Sequence, residues 1–89
     1  PAVKDAIRHE IDLCERELAA DLARLPGTAD WSAGDLHTLA NLIVLAMVAT
    51  AEALIAAGDD DRARERLCAT ARTQLRMVII GALHWRSPA

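Results

Sequence analysis

The stretch Leu36–Ala57, LHTLANLIVLAMVATAEALIAA, constrains this chain more than any other. Between Leu42 and Ala51 the only polar group is the hydroxyl of Thr50. Wound into a helix, the run shows apolar side chains on nearly every side, and a helix apolar all round has to be buried. Two neighbouring helices of an 89-residue chain cannot enclose it. The sequence therefore asks for a partner, most simply a second copy of itself.

Length fits one domain over residues 1–89. Apolar residues make up 53% of it, more than a core this small can absorb. Only three Pro and four Gly interrupt a composition rich in Ala, Leu and Arg, which favours helix over sheet.

Three helices are expected, at about 2–25, 33–57 and 60–85. In the first, Val3, Ile7, Ile11, Cys14, Leu18, Leu22 and Leu25 recur at steps of three and four, which is one amphipathic stripe. Arg8, Asp12 and Arg16 form a potential i,i+4 ladder on its outer side. Pro26–Gly27 ends it. Ser32 is the expected N-cap of the second helix, with Asp35 three residues on. Trp31 and Leu36 then occupy the positions of a hydrophobic staple.

In that second helix Leu36, Ala40, Ile43, Met47, Ala51 and Leu54 form a large stripe, with Ala46, Ala49, Ala53 and Ala56 beside it as a small one. A narrow third face carries His37, Asn41 and Glu52, with Val44 and Val48 among them. Gly58 supplies a left-handed C-cap, and Asp59–Asp60–Asp61 starts the third helix. The third helix has a core stripe of Leu67, Ala71, Leu75 (or Gln74), Val78, Ala82 and Trp85. Met77, Ile80 and Leu83 point away from that stripe.

The architecture expected is all-α: a three-helix up-down-up unit that assembles as a homodimeric helical bundle. Interface candidates are Leu42, Leu45, Ala46, Ala49 and Ala53 on the second helix, and Met77, Ile80, Leu83 and Trp85 at the end of the third.

Charge is segregated. Residues 1–30 carry four Lys/Arg and seven Asp/Glu, residues 31–61 carry five acids and no base, and residues 62–89 carry six Arg and one Glu. An acidic chain with one basic helix is expected to pair its own charges rather than seek nucleic acid. The two tryptophans, Trp31 and Trp85, are the only aromatics, which leaves no platform for stacking bases. The apolar run approaches membrane-spanning length. Asn41 and Glu52 inside it, acids at both ends and no flanking Lys or Arg argue against a span. Cys14 and Cys68 lack framework spacing and are expected as buried thiols in a reducing cytoplasm. The polar, helical start resembles no secretory signal, and Pro1 fits removal of an initiator Met.

His9, His37 and His84 fall one per helix without metal-ligand spacing, so no metal or cofactor is expected. The segment Ile7–Leu18, IRHEIDLCEREL, resembles the opening of the first helix of the all-helical chorismate mutases. That resemblance covers 12 residues and implies a small intertwined dimer with Arg8 as a substrate-binding arginine. The chain departs from that pattern at Pro26, where the family's helix continues to another arginine, and over 31–61, where the family carries bases.

Two functions follow. The first is a non-enzymatic, cytoplasmic interaction module, an adaptor, inhibitor or regulator, acting as a homodimer on another protein. The alternative is a small-molecule-binding or catalytic bundle using Arg8, Arg72 or Arg76 for an anion. His37, Asn41 and Glu52 are its other polar candidates, with a register-setting role in an interface as the competing reading.

Overall fold

A computed structural model describes residues 2–88. Three α-helices account for most of them: α1 (Ala2–Ala23), α2 (Ala33–Ala57) and α3 (Asp61–Leu83). A single 3₁₀ turn, Pro26–Thr28, lies between α1 and α2. No strand occurs among the described residues, so the chain is all-α.

The residues fall into two compact units. One comprises α1, the turn, α2 as far as Val44 and the tail from Arg86; the other is Leu45–Trp85. Each is a helical hairpin, and α2 supplies one arm to both.

In the first unit the turn is fixed by Thr28. It is buried, and its hydroxyl donates to the carbonyls of Leu22 and Leu25, the latter at 3.0 Å. Each of those carbonyls also accepts a backbone N–H, Leu22 from Leu25 and Leu25 from Thr28, both at 3.1 Å, so the hydroxyl adds a second bond at the C-terminal end of α1. Across the hairpin, Asn41 Nδ2 donates to Glu15 Oε1 at 2.7 Å. The core is Ala19, Ala40 and Val44, with Ile11, Leu18, Leu22, Leu36, Leu39 and Ile43 half-buried around it. The expected α1 stripe is therefore only partly used: Val3, Ile7, Cys14 and Leu25 are exposed. This unit takes only Ala33–Val44 of α2, about half the length of α1, so the start of α1 has nothing opposite it there.

Ser32 caps α2 as its spacing predicts, its Oγ accepting from the Asp35 N–H at 3.1 Å. The reciprocal half of a capping box would run from Ser32 N–H to the Asp35 carboxylate. Here it passes through the tail instead. Ser32 N donates to Ser87 Oγ at 3.1 Å, and the Ser87 hydroxyl donates to Asp35 Oδ2. Trp31 and Leu36, the two staple positions, are both half-buried. The Trp31 indole Nε1 is buried with no hydrogen-bond partner.

In the second unit Gly58 takes φ +57, the left-handed conformation that ends α2. Asp60 caps α3 by accepting from the Ala63 N–H at 3.1 Å. Arg64 reaches back and donates to the carbonyls of Leu54 (3.1 Å) and Gly58 (3.2 Å), completing the end of α2. Ala46, Thr50, Ala53, Leu54 and Ala57 of α2 are half-buried, as are Ala63, Leu67, Cys68, Ala71, Val78 and Ala82 of α3. No residue of α3 is fully buried. Of the small stripe, Ala46 and Ala53 pack in this hairpin while Ala49 and Ala56 are exposed; of the large one, Leu54 is half-buried while Met47 and Ala51 are exposed.

Candidate interaction face

The candidate site is the side of α2 that neither hairpin covers. Leu42, Leu45, Ala49, Glu52 and Ala56 are all exposed and follow one another at steps of three, four, three and four. That alternation is the 3.5-residue repeat of a coiled-coil seam. Leu42 and Leu45 keep 51% and 49% of their surface, and Ile55, flanking the seam, keeps 80%. Val48 is half-buried beside them. The polar members sit at its ends: His37, Thr38 and Asn41 toward the start, Glu52 toward the finish. Thr38 Oγ1 is committed to the Gly34 carbonyl at 2.9 Å, while Asn41 spends one of its two amide hydrogens on Glu15.

Of the nine interface residues expected from sequence, Leu42, Leu45 and Ala49 lie on this face. Met77, Ile80, Leu83 and Trp85 are exposed at the end of the second unit. Ala46 and Ala53 are half-buried on the side of α2 that packs inside its own hairpin. Ile55 and Ile79 are exposed apolar residues that the sequence reading did not single out, and Met47, expected on the large α2 stripe, is exposed as well.

The polar candidates are dispersed. His37 lines a shallow groove of about 300 Å³ with Arg16, Ala19, Ala20, Ala33 and Leu36. Arg72 lies along an open depression on α3 with Asp61, Arg64, Glu65, Cys68 and Ala69. Two acids and two arginines share that depression, and Arg64 already serves the end of α2, so it is a poor match for a dianion. Arg76 is exposed. Among the described residues no three His, Cys, Asp or Glu side chains group as metal ligands.

Three local expectations change. Cys14 is exposed and Cys68 half-buried, so they are not a buried pair. Arg24 pairs with Asp21 at 3.5 Å, with both side chains exposed. The Arg8–Asp12–Arg16 ladder does not form, and no ion pair joins Arg62, Arg64, Arg66, Arg72 or Arg76 to an acid. Exposed side chains gain little from pairing in water and lose rotamer freedom by it.

α2 is also long and apolar enough to cross a membrane by length and composition, with 11% of its most apolar window buried. Compared with known protein families, characterised proteins and solved structures, the chain matches none.

Proposed function

We propose that this chain is a non-enzymatic helical interaction module that acts as a homodimer and presents its remaining apolar surface to another protein. The observation that carries the reading is the extent of uncovered apolar surface. Leu42, Leu45, Met47, Ile55, Met77, Ile79, Ile80 and Leu83 all stay about half-exposed or more, while among the described residues the only buried apolar ones are Ala19, Ala40 and Val44.

Isolated apolar residues on a surface need no explanation, but so many large ones exposed on two helices of a small chain do.

An anion-binding or catalytic bundle has less behind it, because Arg72 shares its depression with two acids. A membrane span draws on the apolarity of α2, but the helix carries Glu52 within it and no Lys or Arg at either end. A cytoplasmic location belongs to the same proposal.

Multi-angle light scattering at micromolar concentration tests it. The expected mass is twice 9.6 kDa. A monodisperse soluble monomer would remove the homodimer, and the functional reading with it.

A further inference from the structure

We infer that the second copy docks antiparallel, α2 against α2, with the two-fold axis at Leu45. Glu52 of each copy then faces the His37–Asn41 turn of the other. This rests on the homodimer reading and adds to it the face, the polarity and the register.

The face follows from exposure. Along α2 the seam Leu42, Leu45, Ala49, Glu52, Ala56 is the side left open over both halves of the helix. A 3.5-residue repeat of this kind keeps two helices in contact over several turns. Ala49 and Ala56 on the seam let the backbones approach closely, while Leu42 and Leu45 supply the bulk.

The polarity follows from charge. Glu52 is the one charged residue between Asp35 and Asp59. A parallel pair would set Glu52 against Glu52 of the second copy at the seam, and like charges across a helix interface are disfavoured. An antiparallel pair carries each Glu52 toward the start of the opposite helix. There the side chains on the seam side are His37, Thr38 and Asn41, none of them acidic.

The register follows from what Glu52 would meet. With Leu45 on the axis, Glu52 lies opposite Thr38, between His37 and Asn41, and Leu42 lies opposite Val48. The Thr38 hydroxyl is engaged with the Gly34 carbonyl. The donors for the carboxylate are therefore the His37 imidazole N–H and the second amide hydrogen of Asn41, whose first is held by Glu15. Sliding the helices by one seam step in one direction would set Glu52 against Asp35, a like charge. One step in the other direction would set it against Leu42, burying a carboxylate without a donor. Only the middle register gives the acid hydrogen-bond donors, and it sets Leu45 against its own copy and Leu42 against Val48.

Cysteine cross-linking in a Cys14→Ser, Cys68→Ser background reads face, polarity and register together. Leu45→Cys should form a disulfide dimer on mild oxidation. Thr38→Cys mixed with Glu52→Cys should give a cross-linked pair, while neither does so alone. In the antiparallel arrangement like positions lie about 21 Å apart along the axis, 14 residues at 1.5 Å each. Light scattering on the reduced samples reports assembly separately, and Leu45→Glu should move the wild-type dimer to monomer at the same concentration while helicity by circular dichroism is kept. A dimeric mass with Glu52→Cys cross-linking to itself, or with no Leu45→Cys cross-link, overturns the antiparallel seam and leaves the homodimer standing. A monomer that floats with phosphatidylcholine–phosphatidylglycerol vesicles overturns both, and assigns the face to lipid.

Discussion

Val44 and Leu45 are neighbours in sequence and opposites in environment, and truncating each to Ala separates a folded monomer from an obligate dimer. Val44 is 7% exposed, in the core of the first hairpin. Removing two buried methyl groups costs about 1.6 kcal/mol in transfer, and a residual cavity brings the total to about 2 kcal/mol. That cost arises inside one chain and applies whether or not a partner is present. Leu45 keeps 49% of its surface in the single chain. If nothing covers it, Leu45→Ala removes side-chain atoms that are half in water, and the loss stays near or below about 1 kcal/mol. If a second copy covers it at a two-fold axis, two side chains are lost from one buried cluster. Each then costs what a buried Leu→Ala costs, about 2–5 kcal/mol. The two cases also differ in concentration dependence. When folding and association are coupled, a hundredfold dilution lowers apparent stability by about 2.7 kcal/mol. Urea unfolding of wild type, Val44→Ala and Leu45→Ala, followed by circular dichroism at 1 and 100 micromolar, reads all of this (the two concentrations being on the order that brackets a micromolar Kd). The expected result is a wild-type midpoint that rises with concentration and a Leu45→Ala loss at least as large as that of Val44→Ala. A midpoint independent of concentration, with Leu45→Ala nearly silent, would refute the claim that this face is covered by a second copy.

Three further outcomes concern the chain itself. Thr28→Val keeps the shape of a buried residue but removes the hydroxyl that serves the Leu22 and Leu25 carbonyls; a loss of about 1–2 kcal/mol is expected, with faster amide exchange in the turn after α1. Ser87→Ala breaks the link between Ser32 N–H and the Asp35 carboxylate, and should cost about 0.5–1 kcal/mol in urea unfolding and raise proteolysis of the tail. Gly58→Ala puts a Cβ on a residue at φ +57, for which about 1–2 kcal/mol of destabilisation is expected even though the space around it is open.

Much of this fold is written locally, and those parts were legible. Ser32, Gly58 and Asp60 end or begin helices for reasons held within a few residues, and the structure places all three where spacing puts them. The packing sides were harder. Periodicity identifies an apolar stripe but not how much of it an opposing helix will meet. Val3 and Ile7 lie on the α1 stripe yet stay exposed, because their unit includes α2 only as far as Val44. On α2 two stripes compete. Sequence alone does not say which residues of each meet α3; the hairpin uses Ala46, Ala53 and Ala57, whose small side chains admit a close approach, together with Leu54. The Ser87 relay could not be foreseen, since it joins Ser32 and Asp35 to a residue more than fifty positions away.

The seam itself was present in the sequence as spacing, hidden because nearly every position of α2 is apolar and a helix wheel then shows no contrast. Contrast appears only once the two hairpins have claimed their sides and exposure sorts the remainder. What is left is a 3.5-residue repeat interrupted by one acid. A carboxylate in such a place costs stability unless donors meet it, and α2 carries its exposed donors, His37 and Asn41, nearly four turns upstream on the same side. Within one straight helix they cannot reach Glu52. In a second helix running the other way they can. The same acid that makes the seam poor as a lipid-facing or parallel surface is therefore what makes it specific as an antiparallel one.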